Sequence, residues 1–470
     1  MSESGQRRGQ LIVYKGDMTT YSAVVTTGIY CRPGCGSKPL AENVRTFEHP
    51  AAAEANGFRA CLRCRPYRVA GPIATDVPEL MCRAVQLIIV GALDTGTEAE
   101  LGARLAVSPR HLRRLFTRHL GVTPDQLARS RRAHFARRLL DDTDLPAADV
   151  AFASGFGSVR QFNRDMRSVF RAAPLELRGR RRRADRLVAD GGLVMRLPFA
   201  PPLHWPALLA FLAERAVPGV ESVQEGVYRR TISLDGEAGL LEVRAAGADH
   251  LLLRAHLPFW EGLIHVVERV GRIFGVAADI APAESALAAD PLIGPLIATR
   301  PGLRVPGAWG AFEIAVDAVL GQYAARPRVR EQLAALVAAA GQPVPGLGHG
   351  LTHLFPSART VASTDLKGAG LPEATADTLA ALARAAARDD TLFDGGSCLA
   401  DFLRAVEAVP GVTEDTAHRI ALRLGYDDAF PAADHADART PGGEAGAGWR
   451  PWRAFAATHL AMAELPALTA

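Results

Sequence analysis

Cysteine is scarce in this chain, with six among 470 residues. So few thiols exclude a scaffold built from disulfides. No run of eighteen uninterrupted apolar residues occurs, so no membrane-spanning helix is expected. The opening MSESGQRRGQ leads into no apolar segment of the kind a signal peptide needs. These absences predict a cytoplasmic, reducing compartment, in which cysteines serve as metal ligands or nucleophiles. The formal net charge of +4 is too small to name a partner class by itself. What is abundant is length and apolar material. A chain of 470 residues with 48% hydrophobic content predicts two to four separately cored domains.

Charge is unevenly spread. Residues 101–140 carry ten arginines and one acid, a balance suited to a polyanion. Residues 371–470 carry eight arginines and fifteen acids.

Four of the six cysteines fall in two close pairs, Cys31/Cys35 in YCRPGC and Cys61/Cys64 in CLRC. The remaining two, Cys82 and Cys398, stand alone. C-x3-C and C-x2-C spacings let two turns direct four thiolates at one tetrahedral ion. Pro33, Gly34 and Gly36 suit the first turn. A unit of about residues 14–70 has little apolar mass, so its metal is expected to hold it together. Arg32, Arg45, Arg59, Arg63, Arg65 and Arg68 are candidate phosphate contacts.

The stretches VVTTGIYCRPGC and LAENVRTFEHPAAAEANGFRACLRCRP closely resemble the amino-terminal domain of the Ada family of bacterial adaptive-response proteins, over roughly residues 20–67. The resemblance implies that the first cysteine, Cys31, irreversibly accepts a methyl group from a DNA methylphosphotriester. One zinc ion is then held by Cys31, Cys35, Cys61 and Cys64. Loss of one negative charge on methylation would raise the affinity for DNA.

ELGARLAVSPRHLRRLFTRHLGVTP reads as helix, turn, helix, with Ser108 as cap and Pro109 in the first turn. Leu112, Leu115 and Phe116 form its apolar face. ADVAFASGFGSVRQFNRDMRSVFRAAP repeats the plan, with Ser158 as cap and Phe162, Met166 and Phe170 on the apolar face. A longer basic helix, DQLARSRRAHFARRLLDDT, joins the two. Two such units can enter successive major grooves. Arg110, His111 and Arg114 are assigned to the first groove-facing helix, and Ser158, Arg160, Gln161 and Arg164 to the second. VAFASGFGSVRQFNRDMR is similar to the signature of the AraC family of transcription activators, and the likeness covers nearly all of residues 80–177. A run of five arginines within residues 178–183 reads as a basic linker that grips DNA or simply connects.

Beyond it, VYRRTISL, GLLEVRAA and HLLLRAHL alternate as strands of an antiparallel sheet flanked by helices. After residue 305 the pattern is helical throughout. AVEAVPGVTEDTAHRIALRLG predicts two helices joined by a tight turn that offers backbone N–H groups to a DNA phosphate, with Gly411 and Thr413 in the turn. Asp434 follows the hairpin and is placed to stabilise an oxocarbenium-like sugar, with Asp427, Asp428 and Asp437 as competing carboxylates. RPGLRVPGAWGAFEIAVDAVLGQ, together with the hairpin and DAFPAAD, resembles the AlkA family of 3-methyladenine DNA glycosylases of the helix-hairpin-helix superfamily. That implies base flipping and makes Asp434 the essential aspartate. Gln322, Tyr323 and Arg419 then fall at the base pocket. The hairpin contains no lysine, so no Schiff-base lyase is expected. This sequence departs from the family at Thr413, where a second glycine is usual, and a β-branched residue there conflicts with a positive φ. It also departs at Asp415, Arg419 and Ala461.

The expected fold is multidomain. It comprises a small zinc-bound α/β module at 1–75, an all-α double helix-turn-helix domain at 76–178 and a basic linker at 179–191. An α+β subdomain at 192–300 packs with an all-α helix-hairpin-helix glycosylase domain at 301–470. The expected function joins methylphosphotriester methyl transfer, transcriptional activation and excision of alkylated bases such as 3-methyladenine. The alternatives are a regulator whose zinc cluster is structural, or one whose glycosylase fold has lost or reduced activity. Expected partners are promoter and alkylation-damaged double-stranded DNA, and RNA polymerase, with no membrane and a nucleoid-associated location. The Pro-Cys-His-Arg type site of an O6-methylguanine methyltransferase is absent around Cys82 and Cys398.

Overall fold

The computed structural model describes residues 20–32, 35, 39–68, 78–182, 185–187, 192–432, 434, 446–463 and 465. Pro33, Gly34, Gly36, Arg183, Asp437 and the side chain of Arg68 lie outside the described residues. The chain divides into two compact units. The first comprises residues 1–81, 91–186 and 261–264, and the second residues 82–90, 187–260 and 265–470.

The first unit begins with a four-stranded sheet of β1 (Tyr21–Val24), β2 (Ile29–Cys31), β3 (Val44–Phe47) and β4 (Arg59–Ala60), in the order β3-β1-β2-β4. Helix α1 (Pro50–Ala55) lays Ala51, Ala52 and Ala53 into the core. Most of α2 (Glu79–Ile89), from Cys82 on, belongs to the second unit, and the first continues with α3 (Glu98–Arg104), α4 (Pro109–Leu120), α5 (Pro124–Asp142), α6 (Ala147–Ala153), α7 (Val159–Phe170) and α8 (Pro174–Gly179). The caps act where the sequence places them. Ser108 Oγ accepts from the His111 N–H at 3.2 Å, and Ser158 Oγ from the Gln161 N–H at 3.1 Å. Each satisfies one of the four orphan donors at a helix start. Leu112, Phe116, Phe162, Met166 and Phe170 are buried, as their spacing predicts.

The connecting helix α5, read as a longer basic helix, turns much of itself inward. It is the central core helix of the unit and buries Phe135, Leu139 and Leu140. Arg132 and Arg137 are buried with it, paired to Asp94 at 2.9 Å and Asp141 at 2.8 Å. Part of the arginine excess in this segment is therefore internal structure. The basic linker, read as gripping DNA or simply connecting, spends three of its arginines on internal pairs. Arg180 pairs with Glu176, and Arg181 and Arg186 both reach Asp144 at 2.6 Å.

The zinc-module segment and the helix-turn-helix segment share one core. Tyr67 stands edge-on to Phe170, with ring centroids 5.8 Å apart. Its hydroxyl donates to Asp141 at 3.1 Å and accepts from Arg137 Nε at 3.3 Å. Arg65 pairs with Asp185 at 2.6 Å.

The second unit contains an antiparallel sheet of β5 (Leu193–Pro198), β6 (Glu221–Gln224), β7 (Val227–Leu234), β8 (Glu237–Ala245) and β9 (His250–His256), ordered β5-β9-β8-β7-β6. Alternate burial along β5 and β9 matches the predicted strand pattern. Helices α9 (Trp205–Arg215), α10 (Leu263–Ile273), α11 (Ala281–Leu287) and α12 (Ile293–Thr299) accompany it. The helical part holds α13 (Ala311–Tyr323), α14 (Arg326–Ala340), α15 (Ala358–Ser363), α16 (Glu373–Arg388), α17 (Leu399–Glu407), α18 (Glu414–Leu424) and α19 (Arg453–Ala463). Arg230 of β7 is fully buried and meets Glu313 of α13 at 2.9 Å and Glu221 at 3.1 Å. Burial is the strongest single influence and opposes its charge, but the combined attraction of Glu313, Tyr228 and Glu221 outweighs it and raises the Arg230 pKa. This pair locks the sheet to the helices.

Residues 341–357 break the expected all-helical course after 305. Their density of glycine and proline favours an irregular excursion. It returns to the sheet, where Leu351 bridges Gly219 and the Thr231 hydroxyl donates to His353 O at 2.6 Å.

Candidate metal centre and nucleic-acid interfaces

Strand β2 delivers Cys31, and the turn after β4 delivers Cys61 and Cys64. The four sulfurs of Cys31, Cys35, Cys61 and Cys64 lie within 4.8 Å of one another. A tetrahedral zinc with Zn–S of about 2.3 Å requires S···S separations of about 3.8 Å, so the donor set fits that ion after a small contraction. Four thiolates this close repel one another. The neighbouring Cys31, and then burial, push the Cys64 thiol well above its ordinary range. A divalent cation at the centre reverses that balance. The module is a one-zinc, four-cysteine centre.

Cys31 is 5% exposed and is the most enclosed of the four ligands. Register places Cys31 with Ser22 and Thr46 on one face, and Tyr30 with Ala23 and Arg45 on the other. Arg45 is exposed, but it belongs to the face opposite Cys31. Arg65 is buried against Asp185 and is removed from the phosphate contacts. Arg63 is exposed, while Arg32 and Arg59 are half-buried.

Next to Cys31, Tyr30 joins a polar cluster that sequence reasoning missed. Its hydroxyl donates to Glu54 Oε1 at 2.7 Å, and His134 Nε2 of α5 lies 2.5 Å from the same oxygen. Burial, followed by the Glu54 charge, pushes the Tyr30 phenol well up. Tyr30 therefore serves as donor. Its partners lie 24 and 104 residues away, and no local pattern marks them.

On α4, Arg110 and Arg114 are exposed, and Arg114 Nη2 lies 3.0 Å from His111 Nδ1. On α7, Arg160 and Arg164 are exposed and Gln161 is half-buried. Arg164 Nε donates to Asp165 at 3.1 Å. The Ser158 hydroxyl is occupied as a cap, so its contribution is to fix the start of α7.

In the second unit α17 and α18 form the predicted hairpin. Gly411 has φ +88°, and a Cβ there would lie 2.1 Å from the Thr378 hydroxyl, so only glycine fits. Thr413 overturns the expected conflict. Its φ is −91° and its side chain caps α18, accepting from the Thr416 N–H at 3.3 Å. A second glycine is not required.

Gln322 and Tyr323, expected at the base pocket, are turned to this hairpin. Gln322 Nε2 donates to Gly411 O at 2.8 Å, and its Oε1 accepts from the Thr413 N–H at 3.1 Å and the Thr416 hydroxyl at 2.8 Å. The Tyr323 hydroxyl lies 2.8 Å from that of Thr378 and 3.3 Å from Gly411 O. The N–H of Thr413 is thus consumed inside the protein rather than offered to phosphate.

Arg419 and Asp434 meet in a two-pronged pair. Nε donates to Oδ2 at 2.7 Å and Nη2 to Oδ1 at 2.5 Å. The hydrogen bond to Asp434 pushes the Arg419 guanidinium further above its usual range. Among the competing acids, Asp428 is engaged by Arg453 at 2.7 Å and by Arg450. Trp449 is buried, with its indole N–H on Asp290 at 2.8 Å.

A four-thiolate zinc module, a doubled helix-turn-helix and a helix-hairpin-helix fold with a carboxylate beside its hairpin define a multidomain DNA-binding protein of the repair-and-regulation class. Family models match accordingly: the metal-binding domain of Ada over residues 15–67, a helix-turn-helix domain over 101–180 and the AlkA N-terminal domain over 194–310. The chain is 38% identical over 457 residues to the probable bifunctional transcriptional activator/DNA repair enzyme AlkA of Mycobacterium tuberculosis, covering 93% of this chain and 91% of that protein. It belongs to the Ada–AlkA family of bifunctional transcriptional activators and DNA repair enzymes. DNA-3-methyladenine glycosylase 2 of Escherichia coli is 29% identical over 280 residues, 56% of this chain and 95% of that enzyme. The bifunctional transcriptional activator/DNA repair enzyme Ada of Escherichia coli is 37% identical over 120 residues, 25% of this chain and 32% of that protein. No helix among the described residues is long and apolar enough to cross a membrane.

Proposed function

We propose that the chain detects DNA methylphosphotriesters at Cys31, activates transcription through α4 and α7, and excises alkylated bases such as 3-methyladenine at Asp434. The observation that carries this is a four-sulfur cluster built into the same core as the helix-turn-helix segment. When bound, zinc keeps its sulfur ligands deprotonated and nucleophilic. The Cys31 sulfur attacks the methyl carbon of the triester. The S–C bond forms, the C–O bond breaks, and the phosphodiester leaves as an anion. The cluster thereby loses one negative charge, which favours closer approach to phosphate. Arg32 and Arg63 contact the phosphates, and Arg110, His111, Arg114, Arg160, Gln161 and Arg164 face promoter DNA. RNA polymerase is the partner in activation, and the protein acts in the cytoplasm at the nucleoid.

In the second unit Asp434 stabilises the developing oxocarbenium sugar while the damaged base leaves. Arg419 must give up part of its hold for that charge to act. The test uses duplex DNA carrying labelled methyl groups. Label from phosphotriesters should appear on the peptide containing Cys31 in the wild-type chain and be lost in Cys31→Ser. Labelled 3-methyladenine should be released by the wild type and not by Asp434→Asn. Label on Cys35, Cys61 or Cys64 would reject the acceptor, and equal release by Asp434→Asn would reject the aspartate.

A further inference from the structure

Part of the hairpin of the second unit is already committed within the protein. Gln322 occupies the Thr413 N–H and hydroxyl, and Glu414 and Asp415 fill the first turn of α18. Negative side chains at a helix start take the place that an anion would occupy. Beside the hairpin, however, lies an open cleft of about 330 Å³ between α16, the end of α17 and the first residues of the turn. Its floor is alanine and proline, including Ala405, Ala408 and Pro410. Its rim carries Arg384 and Arg388, one helical turn apart on the same face of α16.

Both arginines are exposed, and neither meets a carboxylate or any hydrogen-bond partner among the described residues. That sets them apart from Arg326, Arg404, Arg419, Arg423, Arg450 and Arg453 in the same unit, each of which pairs with an aspartate. The acid that follows them, Asp389, turns its carboxylate to Thr391, accepting from its N–H at 2.9 Å and its hydroxyl at 2.6 Å. Small side chains on the floor let a polyanion's backbone approach closely. Two guanidiniums with Cβ atoms about 6 Å apart match neighbouring phosphates on one strand.

We infer that the Arg384–Arg388 cleft is a phosphate grip of this half of the protein, set beside the hairpin backbone. The occupant is the sugar–phosphate backbone of duplex DNA. The cleft includes Val409 and Pro410, so a strand held there lies beside the start of the hairpin turn. The inference rests on the reading that this half engages DNA, but not on base release.

The experiment measures binding of the full chain to an undamaged duplex as a function of salt. Each phosphate contact adds about 0.9 to the slope of log K against log salt. Arg384→Gln/Arg388→Gln should therefore flatten the slope by roughly 1.8, while Arg328→Gln on α14, whose arginine is paired with Glu331, leaves it unchanged. Ala408→Glu, which places an acid on the floor without removing an arginine, should weaken binding in the same direction. Unchanged slopes in both cleft variants overturn the inference, whatever the wild type does to alkylated bases. So does a double variant that keeps its DNA slope but loses binding to polyglutamate, since the cleft would then serve an acidic protein segment. A flattened slope in a chain that releases no base supports the cleft and removes the catalytic reading alone.

Discussion

Arg419→Ala is the most informative single change in the glycosylase half. Two parallel N–H···O bonds, at 2.7 and 2.5 Å, hold the Asp434 carboxylate. The side chains are 27% and 38% exposed, so water and salt screen the pair. Measured exposed pairs contribute about 0.2–1 kcal/mol, and forked geometry places this one near the upper limit, about 1 kcal/mol. That energy opposes any step that needs the free carboxylate. Its removal should speed single-turnover release of 3-methyladenine from methylated duplex about fivefold, since 1.4 kcal/mol is tenfold. Arg419→Lys retains the charge without the fork and should fall between wild type and alanine. Arg419→Ala combined with Asp434→Asn should show no gain. Release that is unchanged or slower in Arg419→Ala would mean that the guanidinium does not compete with the reaction, and the argument fails.

Two further outcomes follow from the same geometry. Chelation of zinc, or Cys61→Ala, should abolish amide-exchange protection across β1–β4 while α5 and α7 stay protected, because metal binding of about 10–16 kcal/mol dominates so small a module; strands that remain protected without metal would contradict this. His459 is buried in α19, where burial and then the Arg300 charge lower its pKa to about 4. The unfolded chain takes up its proton near pH 6.5 and the folded one only near 4, so stability is complete above 6.5 and declines as pH falls through that window. Denaturant unfolding at pH 5 should show a loss of about 2 kcal/mol relative to pH 7, absent in His459→Phe, and a flat profile in the wild type would refute it.

Legibility in the sequence tracked the distance over which each feature is encoded. The cysteine pairs, the Ser108 and Ser158 caps and the Gly411 turn are local, and each is recognisable within a few residues. Features that depend on partners far along the chain were invisible. The arginines of α5 are the clearest case, because Arg137 reads as charge until Asp141 and Tyr67 enclose it. Gln322 is similar. Its type suits a pocket, but its actual partners at Gly411 and Thr413 lie 89 and 91 residues away. Thr413 looked like a defect because one residue shows its shape but not its backbone angles.

Glu54, placed between a tyrosine that adjoins a zinc ligand and a histidine on the central helix, makes the sensor and the reader a single inheritance. Neither segment can be exchanged for that of a cousin without leaving a carboxylate, a phenol or an imidazole stranded in an apolar seam. Shuffling within such proteins is therefore confined to the junctions that flank the pair, and grafting the detector onto another transcription factor would require carrying α5 along with it.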